Sequence, residues 1–238
     1  MTVPLAIVGY GKMGRLVDQF ASEYGLEVSA CFSRSNVDTL SHATLRGAKV
    51  AIEFSTPAAA PQNIRKLAAL GINTVCGSTG WYDQLPQIRT EIAHADTALL
   101  YAANFSIGVN LFLEIVACAG ALFADHREYE AWGWELHHST KKDSPSGTLQ
   151  KLEAELRGAG YSGPVTLSAN RAGTHVGTHE IGLDSPSDTI TLRHSAKSRD
   201  GYARGALQAA RWISGKKGVY EFREVLADLR ARTPVAGL

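Results

Sequence analysis

Apolar residues in the early part of the chain gather into short unbroken runs: Leu5-Ala6-Ile7-Val8, Val28 to Phe32, Val50 to Phe54, Thr74-Val75-Cys76 and Ala98 to Ala102. Runs of this length, bounded by glycine or polar residues, predict strands buried on both faces. Amphipathic stretches separate them. Leu16, Val17 and Phe20 share one helical face that ends at Gly25; an alanine-rich helix follows Pro57 and ends at Gly71; another runs near Asp83 to His94. Strands alternating with helices predict a doubly wound parallel sheet, an α/β architecture.

After an apolar helix from Ile107 to Phe123 the period changes. Trp132 to His138, Val165 to Ser168, Gly177 to Leu183 and Thr189 to Ser195 read as strands separated by Gly, Ser, Pro and Asp. They predict a mixed or antiparallel sheet carrying one or two helices, a smaller α+β domain. Trp132, Trp134 and Leu136 form one apolar row, and Ile190 and Leu192 another. Both rows cannot stay wet, so one sheet face is expected to pack against another subunit. A helix from Gly201 to Ile213 and an amphipathic segment carrying Phe222, Val225, Leu226 and Leu229 complete the pattern.

Composition narrows the classes. The 238 residues carry a net charge of +1, 45% hydrophobic and 20% charged residues, which describes a globular chain with no nucleic-acid surface. The longest apolar segment contains Asn110 and Glu114 and is too short and polar to span a membrane. The chain enters its first strand at once, leaving no room for a signal peptide. Cys31, Cys76 and Cys118 each lie in an apolar run and read as buried reduced thiols of a cytoplasmic protein.

Gly9-Tyr10-Gly11-Lys12-Met13-Gly14 stands between the first strand and the first helix. In that setting GxGxxG is a dinucleotide fingerprint. Gly9 permits the turn, Gly11 the approach of a pyrophosphate, and Gly14 the helix–strand contact of a Rossmann-type sheet. An acidic residue about 20 positions on would bond the ribose of NAD. Here Ser33 and Arg34 occupy that place, a hydroxyl and a guanidinium suited to a 2′-phosphate, which favours NADPH with NADH also accepted.

The second chemical stretch is Glu135-Leu-His-His-Ser-Thr-Lys-Lys-Asp-Ser-Pro-Ser-Gly-Thr148. It begins as a strand end on which His137 and His138 point to opposite faces, passes through a polar loop with Lys141, and enters a helix at Ser146-Gly147-Thr148. Unpaired N–H groups, hydroxyls and the positive helix end suit a carboxylate or phosphate. An anion cradle, a cation and a proton-carrying imidazole meet within one motif.

That motif, Glu-x-His-His-x-x-Lys-x-Asp-x-Pro-Ser-Gly-Thr, resembles the signature of the 4-hydroxy-tetrahydrodipicolinate reductase family, and the likeness extends over most of the chain. Ser144 replaces a frequent alanine, and Glu53 an aspartate. The resemblance implies reduction of a cyclic dicarboxylate by NAD(P)H in the diaminopimelate and lysine pathway. It gives His137 the role of acid and Lys141 that of carboxylate partner aiding protonation. His138, Ser146, Gly147 and Thr148 would bind substrate. The dinucleotide would be surrounded by Gly9 to Gly14, Phe54-Ser55, Gly77-Ser78-Thr79 and Ala103-Asn104-Phe105, with Lys12 near the 2′-phosphate. The resemblance also implies a dinucleotide domain of residues 1–105 and 200–238, a substrate and tetramerisation domain of residues 106–199, hinges near Ser106 and Arg199, and a homotetramer. Arg171 and Arg199 read more readily as structural ion-pair residues.

Other chemistries fit less well. His175 and His179 lie four apart on a predicted strand, about 13 Å, and no acidic or cysteine partner is placed to join them, so no metal site is expected. No cysteine sits in a polar loop beside a base, and a GxSxG elbow is absent. A non-catalytic NADP-binding sensor on the same fold could dispense with His137 or Lys141, and both are present.

Overall fold

The computed structural model describes residues 2–231. In chain order the elements are β1 (Val3–Val8), α1 (Lys12–Phe20), β2 (Leu26–Phe32), α2 (His42–Leu45), β3 (Val50–Glu53), α3 (Ala60–Ala69), β4 (Asn73–Cys76), α4 (Leu85–His94) and β5 (Ala98–Tyr101). Then follow α5 (Ile107–Leu122), β6 (Glu130–His137), α6 (Gly147–Gly158), β7 (Val165–Arg171), β8 (Gly177–Asp184), β9 (Thr189–Ala196), α7 (Asp200–Ile213), β10 (Gly218–Glu221) and α8 (Phe222–Ala231). The chain divides into two units, one formed by residues up to Ile107 together with those from Asp200 onward, the other by Gly108–Arg199.

In the first unit six strands lie in the order β10-β5-β4-β3-β1-β2. Every pairing is parallel, as their apolar runs predict. Order reverses between β1 and β3, the point at which such sheets open a crevice beyond their carboxyl ends. Leu5, Ile7, Ile52, Val75 and Leu100 pack one face against α1 and α7, while Ala6, Val8, Ala51 and Leu67 fill the other. The sequence pattern did not disclose β10, four half-buried residues between a Lys-Lys turn and α8. Its place comes from tertiary bonds. The Asn73 amide donates to the carbonyls of Ile213 and Lys216 and accepts from the Ala98 N–H, tying the α7–β10 turn to β4 and β5.

A second hub lies at the carboxyl edge. The Glu53 carboxylate is fully buried and accepts from the Ser55 N–H and hydroxyl, the Asn63 amide and the Cys76 thiol. It joins the end of β3 to α3 and β4.

The second unit is a mixed four-stranded sheet, β7-β6-β8-β9, with β6–β7 parallel and the other pairs antiparallel. Its covered face meets α5 and α6 through Val109, Phe112, Val116, Leu149, Leu152, Leu156, Ile181 and Leu183. The register puts Gly133 opposite Ile181, and Ile181 opposite Leu192, so the Leu192 row enters this core. Trp132, Trp134 and Leu136 stand on the other face, half-buried. Trp132 lies over Gly182, where a Cβ would meet its ring at 2.0 Å, and the Trp134 indole donates to Asn170.

The cysteine expectation needs correction. Cys76 is buried, Cys31 is only partly so, and Cys118 is exposed. Cys118 shares the outer stripe of α5 with Leu111, Ile115 and Leu122, which are 37%, 52% and 68% exposed. The run is apolar all round, so sequence alone could not say which side faces inward. Among the described residues no helix is long and apolar enough to cross a membrane.

Removing the Glu53 carboxylate strands several buried donors. Glu53→Ala is expected to lower unfolding free energy by about 1–3 kcal/mol, measured by urea denaturation; an unchanged midpoint would show that these donors find other acceptors.

Candidate active site

Four loops leave the carboxyl ends of β1, β3, β4 and β5 in the first unit. Gly9 has φ 99°, and a Cβ there would lie 2.3 Å from the Phe54 carbonyl oxygen; one on Gly14 would lie 2.4 Å from the Gly9 oxygen. Only glycine permits this turn and this approach of α1. Beside Gly11 there is open space. Gly11 caps α1 without a side-chain bond, and a helix start of this kind suits an anion. Lys12 and Arg34 are exposed, and Met13 and Ser33 half-buried. Ser33 is held in a tight turn, its N–H donating to the Asn36 side chain.

The other loops carry the remaining predicted residues. Phe54 packs edge-on against buried Phe105 and against Gly77. Ser55 is bonded to Glu53. Ser78 is buried with its hydroxyl unpartnered among the described residues, and its carbonyl accepts from the Trp81 indole. Thr79 and Ala103 are exposed, and the Asn104 side chain accepts from the Ser106 N–H. These residues supply apolar surface, free N–H groups and positive charge, the chemistry a phosphorylated dinucleotide requires. No metal or dinucleotide geometry is needed to see that fit.

In the second unit Glu135 and His137 point inward with Gly133, as strand alternation demands. Glu135 is fully buried. Its Oε1 accepts from the Ser146 N–H at 2.8 Å and the Arg171 guanidinium at 2.8 Å. Its Oε2 accepts from the Ser146 hydroxyl, with His179 Nε2 at 3.4 Å and His137 Nδ1 at 3.6 Å. Burial alone would raise this carboxyl's pKa. Hydrogen bonds from His179, Ser146 and Arg171 outweigh burial and hold it well below the usual carboxylate range.

This corrects the metal argument in one respect. An acidic residue does join two histidines, since donor atoms of Glu135, His137 and His179 lie within 4.8 Å of one another. His179 meets His137 from the neighbouring strand, and His175 is not part of the group. Arg171 and both Ser146 donors occupy three of its acceptor sites, and the two imidazoles face Oε2, so the arrangement reads as a buried hydrogen-bond acceptor.

His137 is 7% exposed, its ring edge-on to His179 at 4.9 Å between centroids. Burial first, then the charge of His179, depress its pKa to about 4, against the opposing pull of Glu135. Lys141 Nζ donates to both Asp143 oxygens at 2.8 and 2.9 Å. That bond is the first cause of a lowered Asp143 pKa, and the Gly147 N–H adds to it. Gly147 is exposed with open space beside it, Thr148 half-buried. His138 lies just past β6, half-buried, Nδ1 at 2.7 Å from the Thr140 hydroxyl.

Ser146 departs from expectation. It caps α6 by accepting the Leu149 N–H, and its own N–H and hydroxyl both go to Glu135. It shapes the cradle and turns no free donor toward solvent. Arg171 lies on β7, bridging Glu135 and the Asp143 carbonyl. Alternation put Glu135 and His137 on one face of β6 without telling which face is buried; Arg171, read as an ion-pair residue, is one, and like His179 it comes from another strand.

A glycine-turned parallel sheet in one unit, with an imidazole, a lysine and a helix start in the other, has the make-up of a pyridine-dinucleotide reductase. The chain belongs to the dihydrodipicolinate reductase family: models of the family's N-terminus and C-terminus match residues 3–105 and 108–226. A 4-hydroxy-tetrahydrodipicolinate reductase of Christiangramia forsetii is 33% identical, with 94% of this chain and 98% of that one covered. One of Gluconobacter oxydans is 34% identical, over 91% and 94%. The fold is similar to dipicolinate-bound dihydrodipicolinate reductase from Paenisporosarcina sp. TG-14, with a TM-score of 0.79 and 19% identity over 94% of this chain and 99% of that one.

Folding lowers the His137 pKa from 6.5 to about 4. The neutral buried ring therefore stabilises the fold above the unfolded value, and this contribution is lost as pH falls from 6.5 through about 4. His137→Gln is expected to flatten the fall in stability across that window, measured by urea unfolding at closely spaced pH values. A variant curve parallel to the parent's would place the proton elsewhere.

Proposed function

We propose that this protein catalyses the NAD(P)H-dependent reduction of 4-hydroxy-tetrahydrodipicolinate to tetrahydrodipicolinate, the reductase step of diaminopimelate and lysine biosynthesis. The observation that carries the reading is His137, buried on a carboxylate hub at the start of α6, beside Lys141 and the Gly147 N–H. The reduced nicotinamide, when bound, supplies hydride to the unsaturated ring. The 4-hydroxyl leaves as water, so one hydride and one proton balance the conversion; the chain must supply that proton and hold two carboxylates. Lys141, the Gly147 and Thr148 N–H groups and His138 are suited to hold one of them, Lys141 exchanging Asp143 for the substrate.

Burial and its neighbours keep His137 neutral at pH 7, its pKa near 4. A dianionic substrate reverses that balance, because negative charge within a few ångströms favours imidazolium. Substrate thus recruits the proton it will receive. Ser33, Arg34 and Lys12 support a preference for NADPH, with NADH accepted. The half-buried Trp132, Trp134 and Leu136 on an otherwise polar sheet face support a second copy packed there, in a cytoplasmic homotetramer.

With enzymatically generated substrate and NADPH, oxidation of the reduced cofactor should be rapid; its absence would overturn the assignment. His137→Gln should lower kcat by about 100-fold with dinucleotide binding intact. Lys141→Ala should also raise KM. Near-full turnover in both variants would refute their roles. Arg34→Glu should shift kcat/KM toward NADH by roughly tenfold or more; a parent enzyme that favours NADH by that factor would refute the preference.

A further inference from the structure

We propose that Glu135 and His179 are positioning residues acting through His137: the Glu135 carboxylate steadies a proton on His137 Nδ1, and His179, held on the same oxygen, opposes it. The inference rests on His137 as the proton donor and deepens that reading.

The two nitrogens of His137 face different surroundings. Nδ1 is buried, has no hydrogen-bond partner among the described residues, and lies 3.6 Å from Glu135 Oε2. That is a few tenths of an ångström beyond a hydrogen bond. Nε2 faces Gly177, so closely that an added Cβ would come within 2.9 Å of it. A protonated ring would donate Nδ1–H to Glu135 and present Nε2–H as the transferable proton.

His179 competes for the same acceptor. Its Nε2 is 3.4 Å from Glu135 Oε2 and 3.3 Å from the Ser146 hydroxyl. Glu135 is thus shared between an imidazole that takes no part in the transfer and one that does. The other charges facing His137 are Arg171, opposite it on β7, and Lys141 in the following loop; both oppose its protonation. Helix α6 contributes only the neutral Ser146. Beyond His179, across the β8–β9 register, lies His194, half-buried, its pKa lowered by burial and then by His179. Glu135 is the one negative charge in this set, and the Coulomb energy of a pair at such distances far exceeds thermal energy in a buried site.

Two neighbours acting with opposite sign provide the test. In the cofactor-free and substrate-free protein, the His137 ring is titrated by its imidazole ¹⁵N shifts. Glu135→Gln, which keeps the shape and an acceptor, should move the His137 midpoint down; His179→Asn should move it up, each by about one pH unit or more. A merely structural role would lower thermal stability in both variants without opposing the shifts. Shifts in one direction, or none, overturn the proposal. Should the unpaired charge of Arg171 prevent Glu135→Gln from folding, Glu135→Asp keeps the charge but withdraws it by a methylene, and the same downward movement is required.

The basic limb of kcat against pH should move in step, to lower pH in Glu135→Gln and to higher pH in His179→Asn. Opposed ring titrations with an unmoved kcat profile overturn the inference as a statement about catalysis. A parent protein that reduces no substrate defeats the functional reading instead, and the ring titration still decides whether these neighbours set the His137 proton.

Discussion

A buried carboxylate at the end of a strand is the constraint on which each unit's loops depend. A carboxyl removed from water is tolerated only when hydrogen-bond donors replace the water it loses. Glu53 and Glu135 are both fully buried, and both gather donors from segments that the sheet alone would leave unconnected. Glu53 fixes the β3 and β4 loops through Ser55, Asn63 and Cys76. Glu135 fixes the start of α6 through Ser146, the end of β7 through Arg171, and β8 through His179. Desolvation that would cost several kcal/mol unpaired becomes a restraint on loop position once the donors are supplied.

The same restraint separates scaffold from chemistry. Ser146 lies in the motif that marks the site, yet its hydroxyl and N–H are consumed in holding α6 to β6. The groups nearest to meet a ligand are its neighbours, the Thr148 N–H, with the Gly147 N–H and Lys141 that Asp143 engages. Lys141 in turn is kept in place by Asp143, an exposed ion pair of small net value that a substrate carboxylate can replace at little cost. Rigidity is thus placed behind the cradle and exchangeability in front of it.

Most of the fold was legible because its signals are local. Unbroken apolar runs gave β1 to β5, alternation gave β6 to β9, and the Gly9–Gly14 loop fixed the α1 junction. The mixed sheet followed from the same alternation. What escaped was set by tertiary contact. β10 has no apolar run and owes its place to Asn73 and to pairing with β5. Cys118 faces outward because α5 buries a different stripe of a helix that is apolar on every side. In the site, His137, Lys141 and the helix start shared one motif, but His179 and Arg171 arrive from β8 and β7 by register alone. A residue that becomes a partner through strand pairing leaves no spacing signal in a single sequence.

The charges around His137 work together with burial to hold its ring neutral. Lys141, Arg171 and His179 all oppose a second positive charge on His137, and burial opposes it further. Glu135 alone pulls the other way, and its carboxylate is already committed to Arg171 and Ser146. The donor is therefore unloaded until negative charge enters. A neutral or singly charged analogue could occupy the cradle without restoring the balance, whereas a dicarboxylate brings enough charge to do so. On the roles proposed for His137 and the start of α6, selection for a dianion operates on the proton as well as on binding.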